Sequence, residues 1–435
     1  MNITMIGTGY VGLVSGAGLA DFGMNVICVD KDQERIKKLK KGEVPFYEPG
    51  LEELVQRNVK NGRLSFDSDI KGAVEHSLVI FVAVGTPDNG QGQTDLSQIE
   101  EVAQSLATMI DDYKVLVIKS TVPVGTNSWF KEMVQSKLKK GIKVDIVSNP
   151  EFLREGSSIE DFMRPDRVVI GVDGPRALAI MKDIYRALYL LETPFVFTNL
   201  ETAELIKYAS NAFLATKVSF INEVANICEK VGADVYQVAK AMGLDKRIGP
   251  KFLHPGPGFG GSCFPKDTHS FAHLGKKVGS PLSIVESVIN VNQNQRRIMV
   301  EKIEKAFGLL DGKTIGILGL AFKPNTSDVR ESPAIDIVHA LLEKGARVKA
   351  YDPEGMDEFK KVIKSNNLVY GKDAYSVAKG SHGLVILTEW NEFRNLDLKE
   401  VKKLLTQPLI LDLRNIYEPE KMSELGYRYI GVGRG

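Results

Sequence analysis

The stretch Asn2-Ile3-Thr4-Met5-Ile6-Gly7-Thr8-Gly9-Tyr10-Val11-Gly12 decides the fold of the first third of the chain. Residues 2–6 read as a short buried strand, and the alanine- and glycine-rich segment from Gly12 to near Gly23 reads as a helix. A second strand follows, Asn25-Val26-Ile27-Cys28-Val29-Asp30. A GxGxxG run between a strand and a helix, with an acid closing the next strand about twenty residues on, is the signature of a dinucleotide-binding βαβ unit. Gly7 permits the tight turn, Gly9 lets the backbone approach a pyrophosphate, and Gly12 allows the helix to pack closely on the strand. The helix N-terminus then faces the phosphates. Asp30 is placed to accept hydrogen bonds from the adenosine ribose. A carboxylate there repels a 2′-phosphate and favours NAD over NADP, although Lys31 and Arg35 beside it leave that choice open.

Further apolar strands end in polar loops. Residues 78–84 run into Gly85-Thr86-Pro87, residues 115–119 into Ser120-Thr121-Val122-Pro123, and residues 144–147 into Asn149-Pro150-Glu151-Phe152-Leu153-Arg154-Glu155-Gly156. Ligands of open parallel sheets bind at these carboxyl ends. Thr86, Ser120 and Thr121 are therefore candidate contacts, against the simpler reading of hydroxyls that cap turns. Glu151 and Glu155 put two carboxylates in one loop, more than a turn requires.

From Leu200 to Val231 the pattern is helical, with Lys207 and Asn211 one turn apart on one face. Lys207 reads either as a solvated lysine on a crossing helix or as a functional one, and a helix of this length is a natural dimer interface. Near residue 312 the chain restarts. Lys313-Thr314-Ile315-Gly316-Ile317-Leu318-Gly319 leads through a loop to a helix over 334–343 and a strand ending at Asp352, with further strands at 383–388 and 408–412. Aligning Gly319 with Gly7 puts Ala321 and Pro324 where Gly9 and Gly12 stood, so this half should not hold a pyrophosphate in the same way. A nucleotide carried by a substrate is the expected partner, with Lys323 and Arg330 as phosphate-binding candidates.

The segment from Phe252 through Gly258-Phe259-Gly260-Gly261-Ser262-Cys263-Phe264-Pro265-Lys266-Asp267 carries the chemistry. Its glycine density is expected to let a ligand lie against backbone amides. Pro265 suits the first turn of a helix, so Cys263 sits just ahead of a helix N-terminus and beside Lys266, both of which favour thiolate. Cys28 and Cys228 fall inside a strand and a helix and read as core. His269 and His273 have helical metal-pair spacing without a third ligand, so no metal is expected. A dehydrogenase with a nucleophilic cysteine can take an alcohol to an acid through a thiohemiacetal and a thioester. That route needs an acceptor for the alcohol proton, donors for the developing oxyanion and a base for water. Cys263, Lys207, Asn211, Asp267, Thr121 and Glu151 are the right chemical types.

Composition sets the class. The chain has 435 residues, 43% of them hydrophobic, which is enough for more than one core. Lys+Arg 56 against Asp+Glu 55 leaves no net field for gathering nucleic acid or anionic membrane. No export signal or membrane-spanning run is read in it, and three scattered cysteines suit a reducing cytoplasm. The expected architecture is α/β: two Rossmann-like doubly wound domains joined by a long central helix. Its segments are residues 1–199 for NAD, 200–300 for the helix and cysteine loop, and 301–435 for a nucleotide carried by the substrate.

On the motifs at 7–12, 149–156, 207–213, 258–267, Phe322-Lys323-Pro324 and Asp328-Val329-Arg330-Glu331-Ser332, the sequence resembles the UDP-glucose 6-dehydrogenase family along essentially its whole length. The resemblance implies two successive NAD-dependent oxidations of the glucose C6 alcohol, giving UDP-glucuronate. It implies Cys263 as nucleophile, Lys207 assisting deprotonation or oxyanion stabilisation, Thr121, Asn211 and Asp267 organising water and alkoxide, and Glu151 as the hydrolytic base. It places Glu151, Phe152, Leu153, Lys207, Asn211, Phe252, Gly258 and Lys323 along UDP-glucose. Asp30, Arg35, Thr86, Thr121, Glu155, Lys266 and Arg330, with Val11 in the motif, are placed along NAD. The family dimerises through its middle helices, which implies a homodimer with Arg247 reaching the partner's substrate. His254 stands where some relatives have lysine.

Overall fold

The computed structural model describes residues 1–90 and 92–434; Gln91 and Gly435, which fall in the first and third expected segments, lie outside the described residues. Residues 1–210 with 273–278 form one compact unit, and 211–272 with 279–435 form a second.

The first unit is built on an eight-stranded sheet: β1 (Asn2–Ile6), β2 (Asn25–Val29), β3 (Leu64–Asp67), β4 (Val79–Val82), β5 (Lys114–Ile118), β6 (Val144–Ser148), β7 (Val168–Val172) and β8 (Phe195–Thr198). Their spatial order is β3-β2-β1-β4-β5-β6-β7-β8. The pairings are parallel except that of β6 with β7. Helices cover both faces, so the central strands are apolar on both sides rather than alternating. Met5, paired with Cys28 and Phe81, buries into one core, while Ile6, Ile80 and Val82 enter the other. The order reverses between β1 and β4, which opens a crevice beyond their carboxyl ends.

The second unit repeats the design with six parallel strands: β9 (Thr314–Leu318), β10 (Arg347–Tyr351), β11 (Leu368–Tyr370), β12 (Leu384–Ile386), β13 (Leu409–Asp412) and β14 (Arg428–Ile430). Their order, β11-β10-β9-β12-β13-β14, matches that of β1–β6. The expected fold class is thus observed, two doubly wound α/β sheets linked by one 32-residue helix, Leu200–Val231. One expectation needs correction. Pro324 is no counterpart of Gly12, because the helix after β9 begins only at Pro333, and residues 319–332 form a loop where the first unit has a three-residue turn.

Candidate active site

In the first unit β1 ends at Ile6 and the next helix begins at Tyr10, so the turn Gly7-Thr8-Gly9 delivers a helix N-terminus to the sheet's edge. A Cβ on Gly12 would lie 1.9 Å from the Gly7 carbonyl oxygen, so only glycine lets the helix come this close. A Cβ on Gly9 would meet nothing within 4 Å, which leaves the turn open on the side a pyrophosphate would take. A cavity of about 440 Å³ lies here, lined by Gly7, Gly9, Asp30, Arg35, Val84 and Ser105 among others. Its open turn, helix terminus and acid fit a dinucleotide.

Asp30 Oδ2 accepts from the Thr8 amide at 2.8 Å and hydroxyl at 2.7 Å, with Arg35 Nη1 at 3.3 Å; Oδ1 accepts from the Asp32 amide at 3.0 Å. Burial alone would raise its pKa, but the Asp32 and Thr8 donors and the Arg35 charge outweigh burial and hold it below the usual carboxylate value. Val11 is half-buried beside the turn. Thr86 donates its hydroxyl to the Thr121 carbonyl at 2.9 Å and Ser120 to that of Val84 at 2.7 Å, so both serve the strand ends as turn-capping hydroxyls do. Thr121 is half-buried and its hydroxyl has no hydrogen-bond partner among the described residues.

The loop after β6 carries a buried ion pair. Lys207 Nζ donates to Glu151 Oε1 at 3.0 Å, with both side chains 5% exposed, so the reading of Lys207 as a solvated lysine does not hold. The Leu153 amide donates to Glu151 Oε2 at 2.5 Å. The Phe152 ring has the Arg167 guanidinium 3.5 Å from its centroid and Lys207 Nζ at 5.2 Å, and Glu155 is half-buried.

Two residues here were not singled out from the sequence. Lys119, at the end of β5, is buried and donates to Asn149 Oδ1 at 3.2 Å, which also accepts from Tyr185 OH at 2.6 Å. Burial pushes its pKa down to about 8, with Glu151 opposing the shift and Lys207 adding to it. Glu48 is buried with four hydrogen bonds, from Tyr10, Gly156 and twice from Ser158. A cation directly before Ser120-Thr121 was the available signal for Lys119, whereas Glu48 sits in the loop Val44-Pro45-Phe46-Tyr47-Glu48-Pro49-Gly50, whose sequence names no partner for it.

In the second unit Cys263 directly precedes the helix Phe264–Lys277, and its carbonyl accepts from the Asp267 amide at 2.8 Å, which makes it the N-cap. The side chain is partly exposed, with Ser262 Oγ 3.6 Å from Sγ. Asp267 is 1% exposed, and receives Lys266 Nζ at 2.7 Å on Oδ1 and Asn211 Nδ2 at 2.6 Å on Oδ2. By contrast Cys28 is fully buried and burial pushes its pKa up to about 12, which makes it inert. Cys228 is also buried.

The glycines before Cys263 pack tightly against the protein. Gly256 to Gly261 are buried, and their backbone is spent on protein: Gly256 donates to Asn222, Phe259 to Asn292, and Gly261 to the Arg330 carbonyl. A Cβ on Gly260 would lie 2.2 Å from the Glu331 carbonyl oxygen. Small residues are needed here because two loops meet backbone to backbone. Gly258 belongs to this packed run.

Phe252 is held at φ 64°, a left-handed conformation rare outside glycine, with its ring 6.0 Å from that of Phe264. Lys323 is half-buried, with Nζ 5.4 Å from the Phe322 ring centroid. Arg330 and Arg247 are exposed and pair with Asp328 and Asp245, each at closest 2.7 and 2.6 Å. His254 is exposed.

Residues 1–189 match the NAD binding domain of the UDP-glucose/GDP-mannose dehydrogenase family, 201–294 its central domain, and 316–419 its UDP binding domain. The chain belongs to that family. This dehydrogenase is 52% identical over 438 residues to the UDP-glucose 6-dehydrogenase of Rhizobium meliloti (strain 1021), covering 100% of both chains. It is 48% identical to UDP-glucose 6-dehydrogenase TuaD of Bacillus subtilis, covering 99% of this chain and 93% of the relative. Among solved structures, a UDP-glucose dehydrogenase from Pyrobaculum islandicum superposes with TM-score 0.92 at 39% identity, covering 100% of this chain and 98% of that one. The dehydrogenase is an oxidoreductase that uses NAD, and the open turn at Gly7–Gly9 lies in its NAD binding domain. No helix among the described residues is long and apolar enough to cross a membrane.

Proposed function

We propose that the chain oxidises the C6 alcohol of UDP-glucose to the carboxylate of UDP-glucuronate in two steps. The observation that carries this reading is Cys263 at the N-cap of a helix whose first turn holds the buried Asp267, tied to Lys266 and Asn211. Helix dipole and lysine together favour thiolate. NAD+, when bound, accepts a hydride from C6 in each step. In the first, Lys207, paired with Glu151, assists removal of the hydroxyl proton. Cys263 Sγ then adds to the aldehyde carbon, and the new oxygen is steadied by Asn211 and Lys207 while Thr121 and Asp267 order water. The second oxidation leaves a thioester, which water opens with Glu151 as base; the S–C bond breaks and the thiol is restored.

Phe152, Leu153, Phe252, Gly258 and Lys323 are assigned to the sugar nucleotide. Asp30, Arg35, Thr86, Glu155, Lys266 and Arg330 are assigned to the cofactor. Residues 1–199, 200–300 and 301–435 serve NAD, dimerisation with the cysteine loop, and the UDP-sugar. A homodimer is supported by Phe213, Phe220 and Ile227, which repeat at heptad spacing along the long helix and are all exposed. Arg247 then serves the partner's substrate. A reducing cytoplasm suits a reaction that depends on a free thiol. The test is the NADH yield from limiting UDP-glucose with excess NAD+. Two NADH per sugar is the expected result. One NADH overturns the role of Cys263, and turnover only on GDP-mannose or a UDP-N-acetylhexosamine overturns the substrate.

A further inference from the structure

Glu48 reaches 38 residues back and 108 or more forward along the chain from one buried carboxylate. Its Oε2 accepts from Tyr10 OH at 2.8 Å and the Gly156 amide at 2.6 Å, and its Oε1 from the Ser158 amide at 2.8 Å and hydroxyl at 2.7 Å. Tyr10 is the first residue of the helix that opens the dinucleotide turn. Gly156 and Ser158 close the loop that carries Glu151, Phe152, Leu153 and Glu155. The other end of that loop is held by the Lys207–Glu151 pair at 3.0 Å.

We propose that Glu48 is a positioning residue that locks the cofactor turn to the 151–158 loop, keeping the loop in place while one spent cofactor leaves and a second enters. The inference rests on the two-step reaction above, since only a sugar held through two rounds of cofactor needs such a lock. A plain cap for the short helix Ser158–Met163 would use the Ser158 amide and hydroxyl and have no need of Tyr10. Charge-assisted hydrogen bonds of this kind are roughly twice as strong as neutral ones, and a buried carboxylate has no water to replace them. Burial first, and then the Glu48 charge, raise the Tyr10 pKa well above its ordinary value, so Tyr10 stays a donor throughout. If the loop slips at the exchange, the S–C6 bond of the thiohemiacetal breaks, its hydroxyl proton returns to the sulfur, and free aldehyde escapes.

The test compares Glu48→Gln, Tyr10→Phe and the double variant with limiting UDP-glucose, excess NAD+ and a hydrazine trap for aldehyde. Tyr10→Phe is expected to raise KM for NAD+ about three- to tenfold with kcat within about twofold. Glu48→Gln raises it further and lowers the NADH yield from two per sugar toward one, with the balance trapped as hydrazone. The double variant is expected to be no worse than Glu48→Gln, because both act through one contact. Full yield with kcat and kcat/KM falling together, or unchanged KM in well-folded variants, overturns the lock and leaves a structural cap. Should Glu48→Gln not fold, the KM of Tyr10→Phe decides. A wild-type yield of one NADH defeats the two-step reaction instead, and the shared KM effect of the two variants then decides whether the contact exists.

Discussion

In the first sheet the helix after β1 starts at Tyr10, directly behind an open turn; in the second the helix after β9 waits until Pro333, behind a loop that the protein fills itself. The two sheets share a strand order and an aspartate after the second strand, Asp30 and Asp352. Asp30 is partly exposed beside the cavity and keeps acceptor capacity on Oδ1. Asp352 is fully buried and accepts from the amides of Leu320, Ala321, Glu354 and Gly355 and from the Trp390 indole. Ser332 caps the later helix by accepting from the Ala334 amide and donates to the Leu320 carbonyl. The same aspartate position therefore borders an open cavity in the first sheet and, in the second, braces a loop whose amides it satisfies.

The largest expected effect separates chemistry from both sheets. Cys263→Ser should lower acid formation by about 10³-fold or more while NAD binding stays within about twofold, measured by NADH release and by cofactor titration. A parallel loss of cofactor affinity would mean the cysteine loop supports the first sheet's site. Next, Gly12→Ala forces a Cβ onto the Gly7 carbonyl and should weaken NAD binding about 100-fold or destabilise the first unit by roughly 3 kcal/mol. Calorimetry and cofactor titration together distinguish these, and unchanged binding would break the claim that this turn holds the cofactor.

The third prediction tests the aspartates against each other. Asp352→Asn should reduce stability by about 2–4 kcal/mol in urea unfolding with little change in KM for NAD+. Asp30→Asn should raise that KM about tenfold with little change in stability. Swapped outcomes would refute the division between site and support.

The smallest effect is in pH dependence. Asp30 has a lowered pKa, so it contributes stability that is present above its unfolded value of about 3.9 and lost as pH falls through its folded value. Asp412, at the end of β13, is raised by burial, which outweighs its Tyr417 and Tyr429 donors. Its contribution is present below about 3.9 and lost as pH rises through the folded value. Unfolding midpoints of Asp30→Asn and Asp412→Asn against wild type should therefore diverge with opposite slopes, below and above about pH 4 respectively. Equal slopes would remove this contrast.

Most of the elements are legible along the chain. Apolar runs ending at a glycine, an acid or a polar loop marked β1, β2, β4–β6 and the core strands of the second sheet, and 3.6-residue periodicity gave the helix Leu200–Val231 its observed bounds. Cys263 was legible because glycine, cysteine, proline and lysine at close spacing describe a helix start with a thiol on it. Strand pairing, the antiparallel β7 and the burial of Lys207 were decided only by tertiary structure. So were the filling of the second turn, the close packing of Gly256–Gly261 and the place of Glu48. Local pattern reports what a residue prefers along its own chain, whereas a buried polar group is defined by partners 38, 56 or 108 residues away, as Glu48, Lys207 and Asn211 are. Only the folded chain brings such donors to the carboxylates of Glu48, Glu151 and Asp267 and removes the water that would otherwise have satisfied them.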